Sequence, residues 1–250
     1  MNRLSRDYLG YTFLILLLGW GTCVICSWIG ISLKDNKLLY VPFLLGGWSP
    51  TIASFLALKK HNRVTGIKNW LGNIFDFRHG LFAYVMPVVF AAAFILPQCV
   101  ISGFEEGAPF FAIIFMAPMM LLGGGLEEAG WRYILQPELE EKHSFVLSAI
   151  VVSFIWWIWH LPLFHIEGAS QYGQNYFAFG INVLGLSFAL AAIRKKTGSV
   201  WLCVFFHCIV NSLSGIYLIH DNIWGNVAAT ALLILCSFVS LKIEKGQKAI

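Results

Sequence analysis

The sequence predicts an all-α polytopic membrane protein, a bundle of eight transmembrane helices, on three observations. First, its 250 residues are 58% hydrophobic and 12% charged, with a mean hydropathy of +0.72. An ordinary soluble domain carries about 25% charged residues. Second, the charges are grouped. Asp7 and Lys34 are separated by 26 charge-free residues, and seven more such stretches follow: 38–58, 79–104, 107–126, 143–166, 168–193, 197–220 and 222–241. Each is long enough for a hydrocarbon core that needs roughly 20 residues of helix. Open sheets leave unpaired edges in lipid, so such runs imply helices. Third, with the N-terminus in the cytoplasm, 15 of the 17 Lys and Arg residues fall on that side. Only Lys34 and Lys37 lie outside, as the positive-inside rule requires.

The elements follow in order. The first stretch comes after Arg3 and Arg6 like a secretory signal, but its apolar run is too long and no small-residue cleavage site precedes Lys34, so it reads as a retained helix. Six scattered cysteines argue against a disulfide framework or zinc cluster, and Cys23 and Cys26 read as packing residues. The stretch 59–78 reads as an amphipathic segment on the cytoplasmic surface, with Trp70, Leu71, Ile74 and Phe75 toward lipid. A second polar stretch, Gln136 to His143, joins spans four and five. Residues 1–250 read as one domain. No internal repeat is visible, which counts against a transporter of inverted halves. The net charge of +4 is a topology signal and does not point to nucleic acid.

Charge inside a membrane is costly and usually functional. Span four ends Gly123-Gly124-Gly125-Leu126-Glu127-Glu128-Ala129-Gly130-Trp131-Arg132, span five carries Trp156-Trp157-Ile158-Trp159-His160, and span seven carries His207-Cys208-Ile209-Val210-Asn211. Residues four apart share a helix face, so Glu128 lies over Arg132 and His207 over Asn211. Glu127 points about 100° away from Glu128. It has no local cation, and an unpaired carboxylate in a low-dielectric pocket is suited to general acid or base chemistry near neutral pH. Chemistry therefore falls to Glu127, and support to Glu128 and Arg132.

Glu127 and His160 lie level if the hairpin between spans four and five has its apex near 143–144, about 24 Å from each. His207 is roughly 12 Å into span seven from the same side. A carboxylate, two imidazoles and an amide thus share one depth. Alternatively Trp156, Trp157 and Trp159 form an interfacial aromatic belt, which would put His160 near the outer surface. His165 and His220 read as packing residues near outer loops, and Gly123 to Gly125 as close helix packing.

The three segments together resemble the CAAX-protease and bacteriocin-processing family, whose pattern is E-E-x-x-x-R, F-x-x-x-H and H-x-x-x-N or H-x-x-x-D on an eight-helix bundle. Glu127-Glu128-x-x-x-Arg132 and His207-x-x-x-Asn211 match, while Trp156 replaces the usual Phe four before His160. The resemblance covers roughly 109–215. It implies peptide-bond hydrolysis within the membrane, with Glu127 activating water, His160 assisting, and His207 and Asn211 donating to the oxyanion. Glu128 and Arg132 would hold the helix end. One Glu and two His could in principle bind zinc, but no H-E-x-x-H is present and Asn211 suits an oxyanion better, so neither metal nor cofactor is expected. The expected partners are the bilayer and a membrane-associated peptide or protein, such as a pheromone or bacteriocin precursor, in a bacterial-type cell membrane with both termini cytoplasmic. A non-catalytic bacteriocin immunity protein of the same fold, a zinc-dependent protease and a proton-coupled transporter using Glu127 are the alternatives.

Overall fold

The computed structural model describes residues 2–247, with the side chains of 2–242. Lys248, counted above among the cytoplasmic charges, and the side chain of Lys245 lie outside that description.

The chain is almost wholly helical. Helix α1 (Arg3–Trp28) starts on an Asn2 side-chain cap and includes a π-helical turn at Leu17–Gly21. There Gly19 packs so tightly that a Cβ would lie 2.3 Å from the Gly46 nitrogen. Helices α2 (Tyr40–Gly47) and α3 (Ser49–Lys60) follow, bent at Trp48, then the short α4 (Ile67–Ile74) and α5 (Leu81–Ser102). Helices α6 (Ile113–Leu122) and α7 (Gly125–Glu140) meet at a break over Gly123 and Gly124. Helix α8 (Phe145–His160) is capped by Ser144, whose hydroxyl accepts the Leu147 N–H at 3.2 Å. Helix α9 (Tyr176–Thr197) starts on Asn175 and ends at Gly198, which sits at φ 68°. Ser199 then caps α10 (Val200–Ile216) at once. A left-handed glycine followed directly by an N-cap makes a tight turn, and α9 and α10 pack against each other beyond it. Helix α11 (Ile223–Gln247) packs along α9, where Gly185 admits the Thr230 backbone.

Five helices are long and apolar enough to cross a membrane: Arg3–Trp28, Leu81–Ser102, Phe145–His165, Tyr176–Thr197 and Ile223–Lys242. Two bent pairs, Lys37–Gly47 with Ser49–Lys60 (47°) and Phe110–Leu122 with Gly125–Glu140 (42°), raise this to seven if each is one span. The count is therefore five to seven among the described residues. It falls short of eight because a charge-free run is not a helix length. The run 197–220 holds a 17-residue helix that gives way to a strand at Tyr217.

That strand, β2 (Tyr217–Ile219), pairs antiparallel with β1 (Phe104–Glu106) in the register Phe104 with Ile219 and Glu106 with Tyr217. It is a small departure from the all-α expectation, at the ends of α5 and α10. A second departure concerns α4. Trp70 and Ile74 turn inward instead of toward lipid: both are buried, and Trp70 donates to Ser54 Oγ at 3.2 Å and packs edge-on against Phe55. The apolar stripe is real, but protein covers part of it, α3 at Trp70. Leu71 remains exposed. Helix α6 buries no residue, and Phe111, Ile114, Phe115 and Met119 are all well exposed, a surface suited to lipid rather than water.

An aromatic column fixes α7. Tyr8 of α1 meets Trp131 edge-on at 5.7 Å, Trp131 meets Trp159 of α8 at 6.0 Å, and Trp159 meets Trp20 at 4.5 Å. Gly130 lets the column close up: a Cβ there would lie 2.1 Å from the Tyr8 hydroxyl. Trp156 and Trp159 are buried, so they are core residues and form no interfacial belt.

Candidate active site

The site grows out of the α6–α7 break. Interrupting a helix in a membrane frees carbonyls that no water can satisfy, so protein donors must replace the lost bonds. Here Trp48 Nε1 donates to Leu122 O at 2.8 Å, Thr51 Oγ1 to Leu126 O at 2.9 Å and Asn211 Nδ2 to Gly123 O at 3.4 Å. Gly124 has φ 143°, a conformation that side-chain-bearing residues rarely adopt. The chain restarts as a tight turn at Gly125–Glu127 with Glu127 N bonded to Gly124 O at 2.9 Å. The break thereby turns two successive glutamates into the protein, where both are buried.

Their surroundings differ. Glu128 is fully buried and saturated: Oε2 accepts from Arg132 Nε at 3.1 Å, and Oε1 is bonded to His207 Nδ1 at 2.8 Å. Arg132 is also fully buried. It donates further to Gln136 Oε1 at 3.1 Å and Ser187 Oγ at 3.2 Å, and lies over the Trp156 ring. Ser187 passes its own proton to Ala149 O at 3.0 Å, and Gln136 donates to Glu140 at 2.6 Å. The sequence-predicted Glu128–Arg132 pair is thus present. The His207 bond, Gln136 and Ser187 are additions that sequence spacing could not show, because they come from other helices or one turn further on.

The Glu127 carboxylate accepts from Trp156 Nε1, which reaches Oε2 at 2.9 Å. Its other oxygen faces a notch beside Gly124. A Cβ built on Gly124 would lie 2.7 Å from Asn211 Nδ2, 3.1 Å from His207 Nε2 and 3.5 Å from Glu127 Oε1. Three polar atoms from two segments therefore gather close against the Gly124 backbone, an approach that a side chain at 124 would obstruct. The glycine run, read from sequence as close packing, serves this notch as well as packing: Gly125 stands against Cys208, where a Cβ would be 2.5 Å from Sγ.

His160 is buried on α8, with Nδ1 bonded to Trp156 O at 2.8 Å. A carbonyl only accepts, so Nδ1 carries the proton and Nε2 keeps its lone pair. No hydrogen bond joins His160 to Glu127; Trp156 is their shared neighbour, its ring 5.5 Å from that of His160 and 5.6 Å from that of His207. Among the described residues no three His, Cys, Asp or Glu side chains gather as metal ligands. His165 and His220 lie outside this cluster, and the His220 ring approaches Glu105 at 3.8 Å.

Residues 109–213, which hold all six predicted site residues, match the family described as type II CAAX prenyl endopeptidase Rce1-like. Over these residues the chain is similar to that family. A CAAX prenyl protease 2 of the archaeon Methanococcus maripaludis is 24% identical over 225 residues, covering 80% of each chain. That alignment reaches well beyond the motif-bearing helices.

Proposed function

We propose that this protein is a CAAX-type intramembrane endopeptidase that hydrolyses a peptide bond of a membrane-associated peptide or protein, with Glu127, Glu128, Arg132, His160, His207 and Asn211 as its working set. The convergence of Glu127 Oε1, His207 Nε2 and Asn211 Nδ2 beside Gly124 carries the reading. A water there is within reach of the carboxylate. Glu127 takes its proton, the hydroxide oxygen bonds to the scissile carbonyl carbon, and the carbonyl oxygen becomes an oxyanion. Asn211 Nδ2–H and His207 Nε2–H donate to it, each such donor contributing about 3–4 kcal/mol to barrier lowering. His207 donates there with both nitrogens protonated, Nδ1 toward the Glu128 carboxylate and Nε2 toward the oxyanion. Collapse of the intermediate breaks the C–N bond as the proton on Glu127 passes to the leaving amine. His160 Nε2 is the free acceptor that orients the water.

Arg132 and Glu128 act as scaffold. In the same reading residues 1–250 form one integral domain with its core at 109–215. The two bent pairs and Val200–Ile216 each complete a crossing, giving eight spans in the cell membrane with both termini cytoplasmic. Reporter fusions near residues 65, 140 and 196 are expected to read cytoplasmic, and those near 36, 106 and 169 external; one interior reversal breaks that topology.

The test of function is Glu127→Gln, which is nearly isosteric. Cleavage of a farnesylated CAAX peptide and of co-expressed short peptide precursors, followed by mass spectrometry, should fall about 10²- to 10⁴-fold with normal expression. Full activity in that variant removes Glu127 as the base. Protection of cells from a bacteriocin that persists in the variant would indicate an immunity role independent of catalysis. Activity lost on exhaustive chelation and restored by stoichiometric zinc would replace the water-activation scheme with a metal-dependent one.

A further inference from the structure

The two oxygens of Glu127 are inequivalent, and the cause is a side chain that the family pattern gives as Phe. Trp156 is buried, and its indole N–H donates to Glu127 Oε2 at 2.9 Å. The indole is itself held on several sides. The His160 ring lies 5.5 Å away, the Arg132 guanidinium lies over the indole at 5.8 Å, and the His207 ring meets it edge-on at 5.6 Å. A ring so confined points its N–H in one direction. A phenylalanine would supply the same aromatic wall with no donor.

We infer that Trp156 is a positioning residue for this chain's reaction: its N–H clamps Oε2 of Glu127 so that Oε1, on the Gly124 notch, is the oxygen that takes the proton from water. Without the clamp the carboxylate is free to rotate about its terminal torsion, which is broad in glutamate, and Oε1 is aimed at the notch for only part of the time. The inference rests on Glu127 being the base. It predicts a defect in the chemical step and not in substrate binding, since Trp156 donates to the enzyme's own carboxylate.

Two replacements isolate the donor: Trp156→Phe, and Trp156 exchanged for 3-benzothienylalanine, a tryptophan isostere with sulfur in place of N–H. With purified protein in detergent and a farnesylated CAAX peptide as probe, both should lower kcat about 10- to 100-fold, as expected for losing a hydrogen bond to a charged group. KM should stay within about twofold, and the isostere should melt like the wild type. An isostere with wild-type kcat, or one impaired only in KM, overturns the inference. Glu127→Gln run in parallel separates the two claims. If it is inactive while the isostere is fully active, only the clamp fails; if it is active, the base assignment fails first. A substrate-independent measurement uses the ¹⁵N-indole spectrum. The resonance that disappears in Trp156→Phe should be the one that Glu127→Leu moves upfield, and an unmoved resonance refutes the contact.

Discussion

Glu127 and Glu128 are adjacent in sequence and both buried, yet the protein treats them in opposite ways. Glu128 is closed on both oxygens by Arg132 and His207, and Arg132 is closed in turn by Gln136 and Ser187. Glu127 receives one indole N–H, and its second oxygen lies beside Gly124 near His207 Nε2 and Asn211 Nδ2. The first arrangement suits a charge that must never move, the second a carboxylate that must exchange a proton. A buried ion pair is seldom a net source of stability, but removing one partner is costly. The two regions should therefore fail differently: the notch in catalysis with the fold intact, the ion-pair chain in stability.

The sharpest way to break this comparison is Gly124→Ala. The methyl group would fall 2.7 Å from Asn211 Nδ2 and 3.1 Å from His207 Nε2, at a φ of 143°. It pushes away the two groups proposed to hold the oxyanion. Activity is expected to drop by at least about 10³-fold, since two donors and the water site are displaced together. A variant that folds and keeps more than a tenth of wild-type activity would mean that the reaction occurs elsewhere.

The next test concerns the closed side. Arg132→Met leaves Glu128 with His207 alone and leaves Gln136 and Ser187 without their donor. A loss of about 3–5 kcal/mol is expected from the stranded charge. Glu128→Gln should be milder, and the double variant should lose less than the two single losses summed. Thermal melting in detergent gives the coupling as a double-mutant cycle. Glu127→Gln in the same series should leave the melting temperature unchanged or raised. If Glu127→Gln is the strongly destabilising change and Glu128→Gln is silent, the two roles are reversed.

Much of this contrast was legible in the sequence, for identifiable reasons. Charge-free runs and the cation distribution are properties of composition, so the membrane class and the helical regions could be read directly. The i,i+4 spacing of Glu128 and Arg132 is a local helix rule, and the 3.1 Å bond follows it. Contacts between helices follow no such rule. That His207 turns Nδ1 to Glu128, and that Trp156 donates to Glu127, depends on rotations about helix axes which spacing leaves free. The burial of Trp70 and Ile74 shows the same gap: an apolar stripe tells that something covers it, not whether lipid or protein does. Length and composition reach five to seven of the eight expected spans, because bent pairs and the short α10, which ends in β2, sit inside charge-free runs.

The smallest expected effect probes how far the closed region reaches. Ser187 lies on α9, accepts from Arg132 Nη2 at 3.2 Å and donates to Ala149 O of α8 at 3.0 Å, with no solvent access. It is the stitch by which two helices outside the glutamate motif steady the guanidinium. Ser187→Ala removes both bonds but creates little cavity, and Arg132 keeps Glu128 and Gln136. A net hydrogen bond contributes about 0.5–1.5 kcal/mol, more where one partner is charged, so a loss of about 1–2 kcal/mol in stability is expected. Activity measured well below the melting temperature should stay within about threefold, because nothing in the notch touches Ser187. If instead activity falls strongly while stability holds, the guanidinium tunes Glu128 and His207 during the reaction. The line between scaffold and catalytic machinery would then have to be redrawn to include Arg132.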